Sequence, residues 1–260
     1  MLQINNLSYR ANDGGARTDI LSDVNLTVPD GAFLVVTGPN GGGKTTLARV
    51  IMGLKQPTGG SIIFNGTDIT NMSITERARL GISYGFQQPP RFKGMRVRDL
   101  LALAAGRDDM STQEGCQFLN KVGLCAGDYI DREMDASLSG GEIKRIEIAT
   151  ILARGAELMI FDEPEAGIDL WSFARLTDTF RTLHAQTKST IIVISHQERI
   201  LDLADQIAVL SDGRVTRLGP KAEVFPEILA GAEPGCKYFQ RGRAHNERHR
   251  QGIAKGNSRA

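Results

Sequence analysis

The spacing of apolar residues changes along this chain, and each change marks an element. In residues 2–7 and 24–28 apolar positions alternate with polar ones, the period of a half-buried strand. Residues 60–64 form another short strand, ended by Asn65-Gly66, a strong turn signal. Turns are also marked by Asp13-Gly14-Gly15 and by Pro29-Asp30-Gly31. These segments predict an antiparallel sheet. Residues 32–37, 158–161 and 190–195 are instead continuous apolar runs, the pattern of parallel strands buried on both faces. Residues 81–87 read as a further strand, stopped by Pro89 and Pro90.

Helical periodicity appears over 47–52. It then dominates from 95 to about 134, with Val97, Leu100 and Leu101 on one turn and Phe118, Leu119 and Val122 on another. No strand-like run interrupts that stretch, so a helical subdomain inserted over about 89–137 is expected. Helices are predicted from 135 to about 154 and from 170 to about 187. A hairpin over 206–218 turns at Asp212-Gly213, and a short helix follows over 220–230. The expected organisation is one α/β domain over 1–230, followed by a polar, basic tail at 231–260 that reads as disordered.

The chain has 260 residues and a net charge of +1, unevenly spread. Residues 241–260 carry six Lys/Arg against Glu247, leaving the body mildly acidic. That tail lacks aromatic interleaving beyond the nearby Tyr238 and Phe239, so it reads as a solvated terminus and no nucleic-acid partner is expected. Cys116, Cys125 and Cys236 are odd in number and scattered, which indicates neither a disulfide framework nor a metal site. Cys116 and Cys125 are expected to be small buried apolar residues. There is no apolar run long enough to span a bilayer and no signal-peptide pattern, so a cytoplasmic protein without direct membrane insertion is expected.

Candidate chemistry centres on residues 38–46, Gly38-Pro39-Asn40-Gly41-Gly42-Gly43-Lys44-Thr45-Thr46, which fit the phosphate-binding pattern G-x-x-x-x-G-K-[ST]. The loop stands between a strand and a helix, as the motif requires. Glycines allow the backbone to curl around a polyphosphate, and the helix N-terminus directs amides at its oxygens. Lys44 would reach the β and γ phosphates, and Thr45 would hold Mg²⁺. This predicts binding of a nucleoside triphosphate with Mg²⁺. After the apolar run 158–161, Asp162 stands where a metal ligand is wanted and Glu163 where a base could activate water. Tyr9 fits either an adenine stack or an ordinary half-buried strand position.

Ser139, Gly140, Gly141 and Glu142 follow Leu138. Ser139 and Glu142 have the spacing of a capping box, and the glycines at a helix start also suit an anion. Here the sequence resembles the ATP-binding cassette (ABC) family, whose signature is L-S-G-G-Q/E before a basic helix, supplied here by Lys144 and Arg145. Gln87 matches the family's glutamine loop, His196 its switch histidine, and residues 166–169 (Ala-Gly-Ile-Asp) its dimer loop. The resemblance implies a mixed-sheet ATPase core with an antiparallel β subdomain and a helical subdomain. It also implies catalytic roles for Lys44, Gln87, Glu163 and His196, and Mg²⁺ ligation by Thr45, Gln87 and Asp162. ATP would bring together a homodimer in which Ser139, Gly140, Gly141 and Glu142 of one copy cover the phosphate loop of the other.

Within the family, residues 139–145 (Ser-Gly-Gly-Glu-Ile-Lys-Arg) and 196–201 (His-Gln-Glu-Arg-Ile-Leu) resemble the SufC-type ATPase of iron–sulfur cluster assembly. That resemblance implies a soluble SufB/SufD-like scaffold as partner; this chain itself is expected to carry no cluster, because three scattered cysteines cannot supply the usual four ligands. The alternative is the ATP-binding subunit of a membrane transporter, because the catalytic motifs are common to both.

Overall fold

The computed structural model describes residues 1–13, 16–135 and 137–231. The Gly14-Gly15 turn, Cys236 and the expected disorder of 232–260 lie outside the described residues. The chain divides into two compact units, Met1–Lys221 and Ala222–Ala260.

In the first unit, β1 (Leu2–Asp13), β2 (Ala16–Val28), β4 (Gly59–Phe64) and β5 (Thr67–Asp68) form an antiparallel sheet in the order β2-β1-β4-β5. The first two strands run well beyond the limits that alternation predicts, because bulges break their period. Asn6 and Asp23 take positive φ (47° and 56°), and the β1/β2 register shifts between Ile4 and Leu7. The Asn25 side chain accepts the Asn6 amide at 2.9 Å, which holds the bulge closed. Ile4, Leu7, Val24 and Leu26 therefore all face inward despite the interrupted pattern.

The second sheet has the order β10 (Arg214–Pro220), β9 (Gln206–Ser211), β3 (Phe33–Thr37), β8 (Thr190–Ile194), β7 (Leu158–Asp162), β6 (Ile82–Gly85). From β9 to β6 every neighbouring pair is parallel, and only the β10 edge is antiparallel. β3, β7 and β8 are buried at every position, which is why their sequences are apolar apart from Thr37, Asp162 and Thr190 at the strand ends. The inner face of the antiparallel sheet shares one core with β3, β8 and α1 (Lys44–Met52).

Between β6 and α6 (Gly140–Ala153) come α3 (Val97–Ala104), α4 (Thr112–Lys121) and α5 (Ala126–Tyr129), with left-handed glycines at Gly106 and Gly123 separating them. Cys116 is partly buried, but Cys125 is exposed, contrary to expectation, because it caps the short α5 at the surface. Helix α7 (Leu170–Gln186) is capped by Asp169, whose carboxylate accepts the Trp171 and Ser172 amides at 2.9 Å. Its first turn leaves Leu170 67% and Trp171 82% exposed. Two short helices, α2 (Ile74–Arg79) and α8 (Glu198–Leu201), were not expected; each is too short to display a period. Pro220 ends β10 instead of opening the last helix, α9 (Lys221–Gly231), which contains Pro226.

Arg77 of α2 is fully buried and joins the two ends of this core. Its guanidinium donates to the carbonyls of Val50 (2.6 Å), Ile51 (2.7 Å), Thr70 (2.9 Å) and Met72 (3.1 Å). Val50 and Ile51 lie in the last turn of α1, where the dipole is negative; the Val50 carbonyl also accepts the Gly53 amide at 3.1 Å. Arg77→Met is expected to cost about 3 kcal/mol and to lower the melting temperature by roughly 5–10 °C. An unchanged melting curve would show that those carbonyls find other donors.

Candidate functional site

The phosphate loop leaves β3 after Thr37 and enters α1 at Lys44. Its shape depends on glycine. Gly38 has φ 132°, and a Cβ there would stand 2.1 Å from the Leu210 carbonyl oxygen; a Cβ at Gly43 would stand 2.9 Å from that of Ile20. The loop is thus pressed onto β9 and β2. Gly43 caps α1 without a side-chain hydrogen bond, so the first-turn amides of Lys44, Thr45 and Thr46 keep the dipole-favoured, anion-seeking character of a helix start. Lys44 is buried, and its Nζ donates to the Gly38 and Pro39 carbonyls at 2.9 Å each. The ammonium therefore lies across the loop, where Asn40, Gly41 and Gly42 also turn.

The parallel register brings the ends of β7, β8 and β6 to this loop. Thr45 Oγ1 donates to Asp162 Oδ1 at 2.9 Å, and the Tyr84 hydroxyl donates to Asp162 Oδ2 at 2.7 Å. Burial, reinforced by the Asp162 carboxylate, pushes the Tyr84 hydroxyl well above its ordinary range, so it stays a proton donor. Thr45 and Asp162 present hard oxygens side by side, a donor set that suits Mg²⁺. Glu163 follows with φ 45°, the left-handed region, and its amide is held by the Ile194 carbonyl at 3.0 Å. A non-glycine residue in that region is strained by about 1 kcal/mol or more. The conformation directs the carboxylate to Gln87, whose Nε2 donates to Glu163 Oε2 at 2.6 Å. The neighbouring Gln88 makes no such bond. With its nitrogen engaged, the amide of Gln87 keeps its oxygen for a cation.

Helix α6 starts at the Ser139 cap. Ser139 Oγ accepts the Glu142 amide at 3.3 Å, and Glu142 Oε2 accepts the Ser139 amide at 2.7 Å. Tyr129 donates to the same Glu142 carboxylate. Gly140 and Gly141 pack against the segment that opens α7: a Cβ at Gly141 would lie 2.6 Å from the Ser172 side chain. Lys144 and Arg145 are both buried. Arg145 braces α6, donating to the Gly141 and Gly123 carbonyls. Lys144 Nζ donates to the carbonyls of Gln87 (2.8 Å) and Glu163 (3.3 Å). Burial lowers the Lys144 pKa, opposed by the carboxylates of Glu147, Glu165, Asp162 and Glu163. One turn on, Glu147 Oε1 accepts the Phe86 amide at 2.9 Å.

His196 is exposed just beyond β8. The turn that carries it is tied down by Ser195, which donates to Glu165 and accepts the Gln197 amide at 3.0 Å. Glu165 Oε2 is buried without a partner, and burial raises the pKa of this carboxyl. Tyr9 accepts a hydrogen bond from Lys55 Nζ at 3.1 Å and packs on the core, the half-buried strand position. The fold thus gathers Lys44, Thr45, Gln87, Asp162, Glu163 and His196 at the carboxyl ends of the parallel strands β3, β6, β7 and β8. Among the described residues no hydrogen bond joins 38–46 to Ser139, Gly140, Gly141 or Glu142. Tyr84, Glu147 and Glu165 were missed in the sequence. Tyr84 and Glu147 sit inside regular elements where tyrosine and glutamate are ordinary, and Glu165 follows Glu163 without a distinguishing pattern.

Beside Gln87 lies an apolar groove of about 290 Å³, lined by Phe86, Pro89, Pro90, Phe92 and Leu103, with Glu147 in its wall. Phe86 is 42%, Phe92 41% and Leu103 68% exposed.

The family described as ABC transporter matches residues 21–166. An uncharacterized ABC transporter ATP-binding protein of Methanocaldococcus jannaschii is 40% identical over 223 residues, spanning 83% of this chain and 87% of that protein. The sulfate/thiosulfate import ATP-binding protein CysA of Synechocystis is 33% identical over 226 residues, and the match covers 85% of this chain and 61% of CysA. This chain therefore spans about three fifths of the length of that relative. Among solved structures, a dimeric ATP-binding cassette in a post-hydrolysis state with ADP and Pi superposes with a TM-score of 0.76 at 23% identity, covering 85% of this chain and 99% of that one. The relatives carry transporter names, and none of them supports the SufC-type assignment.

Glu147 gives stability a pH dependence. Burial raises its pKa from 4.5 to about 7, against the opposing pull of the Phe86 amide and Lys144. The folded state then holds a proton that the unfolded chain has released, so this carboxyl makes stability fall as pH rises between about 4.5 and 7. Glu147→Gln is expected to remove that penalty. Denaturant titrations should show the variant gaining on the order of 2 kcal/mol over wild type at pH 8 relative to pH 4.5. An equal difference at both pH values would mean that the carboxyl titrates normally.

Proposed function

Because the chain belongs to the ABC transporter ATPase family, whose members bind and hydrolyse Mg-ATP, we propose that it is the ATP-hydrolysing subunit of a membrane transporter. The observation that carries the ATPase part is the group formed by Thr45–Asp162 and Gln87–Glu163 at the mouth of the phosphate loop. Lys44 exchanges its two loop carbonyls for the β and γ phosphate oxygens of ATP, and the loop amides from Gly38 to Thr46 cradle the rest. Thr45, Asp162 and Gln87 offer the oxygens that hold Mg²⁺, which when bound neutralises charge on the phosphates. Glu163 takes the proton of the attacking water, with Gln87 aiming its carboxylate. His196, on its braced turn, reaches the γ phosphate. The remaining contacts come from Ser139, Gly140, Gly141 and Glu142 of a second copy, the arrangement that the family resemblance implies.

The names of the relatives favour a transporter, and the exposed Phe86, Phe92 and Leu103 form an apolar surface beside Gln87 for its membrane subunit to cover. Residues 139–145 and 196–201 favour a second reading, in which a SufB/SufD-like scaffold takes that place.

Lys44→Ala is expected to weaken ATP binding roughly 10- to 100-fold, the worth of hydrogen bonds to a charged group; titration calorimetry with unchanged affinity would overturn the nucleotide site. Glu163→Gln should retain ATP yet lose roughly 10²–10⁴-fold in turnover. With ATP it should elute as a dimer, and elution only as a monomer, with the partner present, would exclude the shared site. Purification of the untagged protein from its own cells distinguishes the partners. A polytopic membrane protein is the expected companion, and a soluble partner with iron–sulfur absorption would establish the scaffold reading instead.

A further inference from the structure

The chemistry proposed above leaves one half-buried acid of α6 without a role. Glu147 lies in the wall of the apolar groove, and the one described hydrogen bond of its carboxylate is accepted from the Phe86 amide at 2.9 Å. Phe86 is the first residue beyond β6, where the strand ladder has ended. From the preceding turn of α6, Lys144 holds the carbonyl of the next residue, Gln87, at 2.8 Å. The main chain at 86–87 is therefore fixed at one donor and one acceptor, both from α6. Gln87 is itself exposed, yet its side chain meets Glu163 at 2.6 Å. A flexible amide keeps so short a contact only if the backbone beneath it is fixed.

We propose that Glu147 is a positioning residue of the ATPase, holding the Phe86 amide so that Gln87 stays in register with Glu163. Its role is to position and not to react. The charges around it are few. Lys144 approaches from α6 itself and Arg154 from its C-cap, Tyr84 of β6 is committed to Asp162, and the α3 wall and the proline-rich loop contribute only apolar side chains to the groove. The hydrogen-bond acceptor is the working part, because a glutamine oxygen can receive the same amide. The ring of Phe86 lines the groove, so whatever fills the groove presses on the peptide that Glu147 holds. The inference rests on the roles proposed for Gln87 and Glu163.

The test is steady-state ATP turnover by the full-length protein carrying Glu147→Ala, Glu147→Gln, Gln87→Ala or the Glu147→Ala/Gln87→Ala pair. Glu147→Ala should lower kcat about 10-fold, the scale of a small misplacement in an active site, and leave KM for ATP within about twofold. Glu147→Gln should restore kcat to within about twofold of wild type, and Glu147→Ala should have no further effect once Gln87 is Ala. Should Glu147→Ala not fold, Glu147→Leu, which fills the apolar wall, provides the same comparison. Wild-type turnover in Glu147→Ala overturns the proposal. So does a Glu147→Gln variant as slow as Glu147→Ala, which would assign the effect to charge. An undiminished effect in the Gln87→Ala background overturns it too, since Glu147 would then act by another route. Failure of the underlying reading looks different, because there Glu163→Gln itself keeps wild-type turnover.

Discussion

The site depends on the parallel ladder that sets β6, β7, β8 and β3 side by side. Gly85 pairs with Phe161, Asp162 with Ile194, and Val36 with Ile194. These pairings bring four chain exits level at the carboxyl ends of the strands: the glutamine after β6, the acids at the end of β7, the histidine after β8 and the phosphate loop after β3. Side chains alternate faces along a strand, so a slip of one residue in β7 would turn Asp162 away from both Thr45 and Tyr84. Apolar burial on both faces opposes that slip, since it would also misplace Phe161 against Phe180. The hydrophobic core thus sets the geometry of a charged site that it meets at Tyr84, whose hydroxyl reaches Asp162.

Helix α6 is the second support, and it works through polar atoms. Lys144, Arg145 and Glu147 are charged side chains withdrawn wholly or partly from water, each bonded to main-chain groups. A buried charge left without partners would be costly, so these contacts hold the helix to the strand ends in one arrangement. The same helix begins at the Ser139 cap and approaches α7 so closely that Gly141 has no room for a side chain. One helix thus joins the Ser139 cap to the main chain of Gln87.

Much of this could be read in the sequence. Continuous apolar runs identified the parallel strands, and Asp212-Gly213 and Asn65-Gly66 identified two turns, each with both residues at positive φ. The phosphate loop, Asp162, Glu163 and the Ser139–Glu142 cap follow from local patterns, because their spacing is set by one turn or one strand end. The bulges of β1 and β2 were hidden, since Asn6 and Asp23 interrupt the alternation on which strand reading depends. Contacts distant in sequence were hidden as well. Nothing near Lys144 or Glu147 announces the main chain of residues 86 and 87, and Tyr84 reads as any strand tyrosine until β7 brings Asp162 to its hydroxyl. The choice of partner was not legible either, because the catalytic residues are common to transporter and scaffold ATPases.

The exposed start of α7 has an optical consequence. Trp171 is the chain's one tryptophan, it stands 82% in solvent, and it immediately follows the 166–169 loop that packs on Gly140. Indole emission from this protein comes from that spot alone. Its colour and its accessibility to a soluble quencher record whether the loop's outer surface is wet or covered, with no label and no mutation.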